Sequence, residues 1–269
     1  MVKRYPLILA LLFVWAAPAW ADFAAGKAAY TRGDYKMAFR EFKTEANLGY
    51  ARAQFALGFM YYNGRGVPRN YAKAVKWYRK AAEQGDAAAQ SSLGVMYANG
   101  RGVKRNYAEA AKWYRKAAEQ GDAAAQYNLG FMYVNGLGVP RNYAEAMKWY
   151  RKAIEQGITD AQNNLGLMYA NGQGVPRNYA EAMKWYRKAA EQSNAAAQYN
   201  LGFMYYKGQG VTRNYVCAYM WTSLAAALGD KKAAKGVGIV AKLMTSADIS
   251  RAQRMAAAWT PGDRVCRPR

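Results

Sequence analysis

Apolar and polar positions in this chain repeat at an interval far longer than a helical turn. Leu-Gly-x returns at Gly58, Gly94, Gly130, Gly166 and Gly202, 36 residues apart each time, and Trp77, Trp113, Trp149, Trp185 and Trp221 keep the same interval. A fixed period of this length is the mark of a stacked-repeat architecture. Five units are read: 50–85, 86–121, 122–157, 158–193 and 194–229.

Each unit predicts two helices. In 86–121, Asp86 is placed to cap a helix on which Ala89, Leu93 and Tyr97 share one face. Gly100 supplies a left-handed stop, and 99–105 reads as a loop. Asn106 opens the second helix with Glu109 three residues on, a capping-box arrangement. Ala110, Trp113, Tyr114 and Ala117 then form an apolar stripe at helical period, and Gly121 ends it. Gly94 falls inside the first helix, where glycine costs about 1 kcal/mol relative to alanine. Its return in every unit predicts close approach by a neighbouring helix, with the Trp ring as the expected neighbour.

One unit cannot stand alone. Ordering 36 residues costs on the order of 50 kcal/mol of conformational entropy, and a lone helix pair leaves too much apolar surface wet to offset it. Stacking buries both faces, so an all-α solenoid of helix pairs is expected. Residues 22–49 read as a degenerate capping unit, with Glu41 where the Trp should be. At the far end Lys184, Lys188 and Glu191 correspond to Met220, Leu224 and Ala227, so the last outer face turns apolar and needs a cover. Two further helices, 231–244 and 248–259, are placed to supply it within a C-terminal cap of 230–269, with Thr245 and Asp248 as the capping pair of the second.

The unit Ala-x-x-Gln-x-x-Leu-Gly-x-Met-Tyr-x-Asn-Gly-x-Gly-Val-x-x-Asn-Tyr-x-x-Ala-x-x-Trp-Tyr-x-x-Ala-Ala-Glu-Gln-Gly resembles the Sel-1-like repeat family, a branch of the tetratricopeptide-like solenoids, over roughly residues 24–260. The resemblance implies a right-handed α/α superhelix and a role as adaptor or regulator in protein complexes, often in bacterial envelopes. Some cysteine-rich relatives carry a disulfide in each repeat and are linked to β-lactam binding or hydrolysis. This chain lacks those cysteines.

Composition narrows the chemistry. Histidine is absent, and two cysteines are too few for a four-thiolate zinc site. No Gly-x-Ser-x-Gly or Ser-x-x-Lys motif is present. The Gly-x-Gly loops, such as 64–66, follow a helix and lack the Lys-Ser/Thr of a phosphate loop. A non-catalytic protein without cofactor or metal is expected, and a β-lactam or cell-wall hydrolase is the less favoured alternative. Residues 1–21 read as a signal peptide: Lys3 and Arg4, the apolar run 7–17, then Ala19-Trp20-Ala21 as the cleavage site before Asp22. The mature chain is expected in the periplasm or outside the cell, with no transmembrane segment. Without its leader it carries 37 basic and 17 acidic residues, a net charge of +20. That field favours anionic partners, either an acidic protein or peptide or an anionic envelope polymer. No nucleic-acid motif accompanies it, and none is expected as a partner.

Variable positions mark the candidate sites. On the first helices Phe55, Ser91, Tyr127, Asn163 and Tyr199 occupy one such position. Phe59, Val95, Phe131, Leu167 and Phe203 follow one turn on, then Tyr62, Ala98, Val134, Ala170 and Tyr206. If these helices line the inner curve, as the resemblance implies, the stripe is an aromatic groove for a protein or peptide, with Phe55, Phe59, Tyr127, Phe131, Tyr199 and Phe203 as anchors. The alternative is packing between units. Arg69, Arg105, Arg141, Arg177 and Arg213 recur before the second helix and are candidates for carboxylate or phosphate. Lys76, Lys112, Lys148 and Lys184 read as a solvated face with Glu83, Glu119, Glu155 and Glu191 as local partners. Cys217 stands where other units have Glu109, Glu145 and Glu181, and Cys266 lies in the tail. A bridge between them straps the tail over the apolar end. The alternative is a free thiol activated at a helix N-terminus.

Overall fold

The computed structural model describes residues 20–263, 265 and 266. The expected signal peptide lies outside them, apart from the first residues of the first helix. Among the described residues there are fourteen helices and no strand. The chain divides into two compact units, residues 1–96 with 100–104, and residues 97–99 with 105–269.

The first unit contains α1 (Trp20–Thr31), α2 (Tyr35–Asn47), α3 (Ala51–Asn63), α4 (Tyr71–Glu83) and most of α5 (Ala87–Asn99). There α1 packs on α2, α2 on α3, and α3 on α4. The core is Ala29, Ala38, Phe42, Ala46, Ala53, Leu57 and Met60. Phe42 stands beside the position that should hold Trp and sits against Gly26, where a Cβ would lie 2.6 Å from its ring.

The second unit contains α6 (Tyr107–Glu119), α7 (Ala123–Asn135), α8 (Tyr143–Glu155), α9 (Thr159–Asn171), α10 (Tyr179–Ala190), α11 (Ala195–Lys207), α12 (Tyr215–Ala227), α13 (Lys231–Ala241) and α14 (Ser246–Ala258). Each helix packs on its predecessor from α7 to α13, and α14 returns to α12. The molecule is therefore an all-α solenoid of helix pairs.

Local chemistry accounts for the helix ends. Asn70, Asn106, Asn142, Asn178 and Asn214 accept from backbone N–H groups to cap the second helices, and Asp86, Asp122 and Asn194 cap first helices in the same way. Thr245 caps α14 by accepting from Asp248 N, as its sequence predicts. Left-handed glycines close the first helices. The second glycine of each Gly-x-Gly loop serves packing. At Gly138, φ is +67° and a Cβ would meet the Tyr107 carbonyl at 2.2 Å, so only glycine lets the loop rest on the preceding pair.

The neighbour of the buried helical glycine corrects the expectation. It is tyrosine, not tryptophan: a Cβ on Gly58, Gly130 or Gly166 would lie 2.7 Å from the ring of Tyr78, Tyr150 or Tyr186. Trp77, Trp113, Trp149 and Trp185 instead lie under lysines one turn on, with Lys80, Lys116, Lys152 and Lys188 4.8, 4.7, 4.9 and 4.6 Å from the ring centres. On the solvated lysine face Lys112, Lys148 and Lys184 pair with Glu109, Glu145 and Glu181 at 3.8, 3.6 and 3.4 Å. At the apolar end Met220 is fully buried and Leu224 half-buried, while Ala227 stays exposed.

A glutamine tie joins successive pairs. Gln54, Gln90, Gln126 and Gln198 are buried and donate to the carbonyls of Ala46, Ala82, Ala118 and Ala190 at 3.2, 3.1, 3.1 and 3.2 Å. Gln54, Gln126 and Gln162 also accept from Gln84, Gln156 and Gln192 at 2.8, 2.8 and 3.0 Å. Gln54 and Gln126 are thus satisfied on both sides, as a polar group in a dry seam requires.

Candidate functional site

The aromatic stripe on the first helices separates into two kinds of position. Helical spacing sets Phe55 and Phe59 on one face of α3, and likewise Tyr127 and Phe131 on α7 and Tyr199 and Phe203 on α11. The first member of each pair is half-buried. Phe55 lies 5.7 Å from the Tyr78 ring, and Tyr127 lies 5.9 Å from Tyr150. Burial, with the Asp160 charge beside it, raises the Tyr127 phenol above its usual pKa, and the Asn164 amide opposes that rise. Phe55 and Tyr127 thus belong partly to the packing of their own helix pair.

The second members face solvent. Phe59, Phe131, Leu167 and Phe203 are 39%, 44%, 36% and 41% exposed, although their side chains are large and apolar. Amides line the stripe beside them in the second unit: Asn200 donates to Asn163 at 2.9 Å and Asn164 to the Tyr127 hydroxyl at 3.4 Å. Small hollows open along it. One of about 300 Å³ in the first unit is bordered by Phe23, Tyr30, Phe55 and Phe59. One of about 220 Å³ in the second unit is bordered by Leu167, Tyr186, Asn200 and Phe203.

The five loop arginines are all exposed. Arg69, Arg105, Arg141, Arg177 and Arg213 each stand over the tyrosine two residues on, 5.4, 5.5, 5.5, 5.4 and 5.7 Å from the ring centre. No carboxylate pairs with them among the described residues. Stacking holds each guanidinium in place and leaves its donors directed at solvent.

The Cys217 and Cys266 sulfurs are 2.07 Å apart, at disulfide distance. Cys217, expected to be wet, is 6% exposed. The Cys266 carbonyl accepts from both Arg187 and Tyr205, and Trp259 packs on Trp221 at 5.4 Å, so the tail lies across α12. A cleft of about 850 Å³ runs beside it, bordered by Val211, Asn214, Arg251, Met255 and Cys266. Nothing in the sequence reading marked this cleft, because it forms between elements far apart in the chain. No group of three His, Cys, Asp or Glu side chains able to hold a metal occurs among the described residues.

The Sel1 repeat profile matches residues 51–86, 87–122, 123–158, 159–194 and 195–230, well over half of the chain. The chain belongs to the Sel1 repeat family. Two similar Sel1-type structures align with most of it. A Sel1 repeat protein from Oxalobacter formigenes is 34% identical, with 90% of this chain and 98% of that one covered and a TM-score of 0.80. A protective antigen of uropathogenic Escherichia coli strains that displays an SLR fold is 40% identical, with 89% of this chain covered and a TM-score of 0.77. The present chain spans 53% of that antigen's length. An immunity protein of Pseudomonas aeruginosa shares the Sel1-type fold at 18% identity, with 77% of this chain and 82% of that one covered and a TM-score of 0.52. Among curated proteins, none matches the chain. The Sel1 repeat architecture is a scaffold fold, and no helix among the described residues is long and apolar enough to cross a membrane.

Proposed function

We propose that this Sel1 repeat protein is an exported, non-catalytic scaffold or regulator that holds a protein or peptide partner along the first-helix stripe. The carrying observation is the repeated exposure of one apolar position. Phe59, Phe131, Leu167 and Phe203 lie at the same point of their helices and present large side chains to water. Solvent-facing aromatics of low rotamer entropy are efficient anchors for a partner, and asparagine amides beside them supply backbone-directed hydrogen bonds. The disulfide-distance cysteine pair is consistent with an oxidising compartment, and so is the similarity to a protective antigen.

A second reading rests on the loop arginines, whose stacked and unpaired guanidinium groups suit an anionic envelope polymer. Affinity capture from envelope extract separates the two. Loss of the partner from Phe59→Ala/Phe131→Ala/Phe203→Ala alone supports the stripe. Loss from the variant with the five loop arginines changed to Gln alone supports the polymer. Capture unchanged in both variants removes both readings.

A further inference from the structure

We propose that α13 is the first helix of an unfinished sixth pair, and that its open side docks an acidic amphipathic helix of a partner protein, seating an aromatic ring of that helix against Gly238. The repeat register supports this. Gly238 falls 36 residues after Gly202, and Ala233, Val237 and Val240 fall at the same interval after Ala197, Leu201 and Met204. Ala233 and Val240 are buried as their counterparts are, at 0% and 3% exposure. The five-unit pattern therefore continues through α13.

The second helix of that pair is missing. At Gly58, Gly130 and Gly166 a tyrosine ring from the paired helix fills the glycine notch, and at Gly202 the Thr222 methyl fills it. At Gly238 nothing among the described residues comes within 4 Å of a Cβ position. The helix next in the chain, α14, is committed elsewhere: it packs on α12, donates from Gln253 to the Tyr219 hydroxyl, and leads into the Trp259 contact with Trp221. The notch is continuous with an interface that this chain builds repeatedly, and that interface specifies the occupant as a helix bearing an aromatic ring.

Charge completes the specification. Ala234 and Gly238 are exposed on the open side, and Lys231, Lys235 and Lys242 flank them, also exposed. Within α13 there is no acidic residue, and Ile239 at the rim is 54% exposed. An apolar notch ringed by ammonium groups selects an amphipathic helix with acidic flanks. This does not depend on the first-helix stripe.

The test uses the full chain and a helical peptide with the sequence of α8, its Lys148, Arg151 and Lys152 positions changed to Glu, followed by fluorescence anisotropy. Binding is expected that weakens with salt. It should fall at least about tenfold for Gly238→Leu, and equally for a peptide whose Tyr150 position is Ala. It should be unchanged in the Phe59→Ala/Phe131→Ala/Phe203→Ala protein. Circular dichroism of Gly238→Leu should match wild type, since leucine favours a helix and meets no neighbour there. Absence of binding at about 1 mM peptide overturns the proposal, as does wild-type affinity retained by Gly238→Leu or by the peptide whose Tyr150 position is Ala. A concentration-dependent dimer abolished by Gly238→Leu, and not displaced by peptide, overturns it in favour of a second copy of this chain.

Discussion

At Gly130 a methyl group has nowhere to go, because the Tyr150 ring occupies its place at 2.7 Å. Alanine there gains about 1 kcal/mol of helix propensity but forces apart a packed pair, which costs typically 1–3 kcal/mol. Gly130→Ala should therefore be neutral to about 2 kcal/mol destabilised in urea, whereas Gly238→Ala, with open space around it, should gain about 1 kcal/mol. A loss at both sites would show that α13 is packed as the earlier first helices are. A second residue-scale prediction concerns the glutamine tie. Gln198 Oε1 is buried without a partner among the described residues, and the position that donates in other units is Leu228, 51% exposed. Leu228→Gln should complete the tie and raise stability by about 1 kcal/mol, and an unchanged urea midpoint would reject that account. The glycine period was legible from sequence, and so was the need for a close neighbour. The identity of that neighbour was not, because Trp149 and Tyr150 are adjacent and only packing decides which turns inward. The role of glutamine was hidden for a related reason. Gln54, Gln90, Gln126, Gln162 and Gln198 stand in the visible repeat, but their partners lie on other helices and loops.

Four of the second helices each carry a buried phenol at the same position. Tyr78, Tyr114, Tyr150 and Tyr186 all have raised pKa values because burial disfavours phenolate. In the unfolded chain these groups ionise near pH 10. Below that pH both states hold the proton and stability is unaffected. Above it the unfolded chain releases protons that the folded chain keeps, so each tyrosine withdraws about 1.4 kcal/mol per pH unit. Unfolding by circular dichroism should begin above about pH 10 together with tyrosinate absorbance. Changing the four residues to Phe should move the onset upward, and an unchanged onset would refute this account. The terminal element offers a parallel test. A bridge between Cys217 and Cys266, 49 residues apart, contributes about 4 kcal/mol in the chain-entropy model. Reductant should lower the urea midpoint of wild type but not of Cys217→Ser/Cys266→Ser, and no difference in wild type would show that the tail holds by packing alone. Helix stripes and caps were readable along these elements because they are local. That the two terminal helices cover α12 was readable from its apolar face, whereas the Trp221–Trp259 contact that seats α14 there was not, since only packing brings the two rings together.

Across the whole molecule the cations far outnumber the acids, with a formal charge of +22, and the structure distributes them in two ways. Lys112, Lys148 and Lys184 have glutamate partners, while the loop arginines lie on tyrosine rings that leave their charge uncompensated. A polyanion should therefore respond more to one set than the other. Neutralising one of these three lysines removes a charge already engaged by its glutamate. Neutralising a loop arginine removes a planar donor already oriented toward solvent. If each such contact contributes about 0.3–1 kcal/mol, changing all five arginines to Gln should weaken binding to a sulfated polysaccharide by tenfold or more. The salt dependence should become shallower at the same time. Changing Lys112, Lys148 and Lys184 to Gln should weaken it by less. The comparison is made by titration at two ionic strengths. Equal losses in the two variants would mean that net charge alone attracts the polymer, and that the arginine edge is no site.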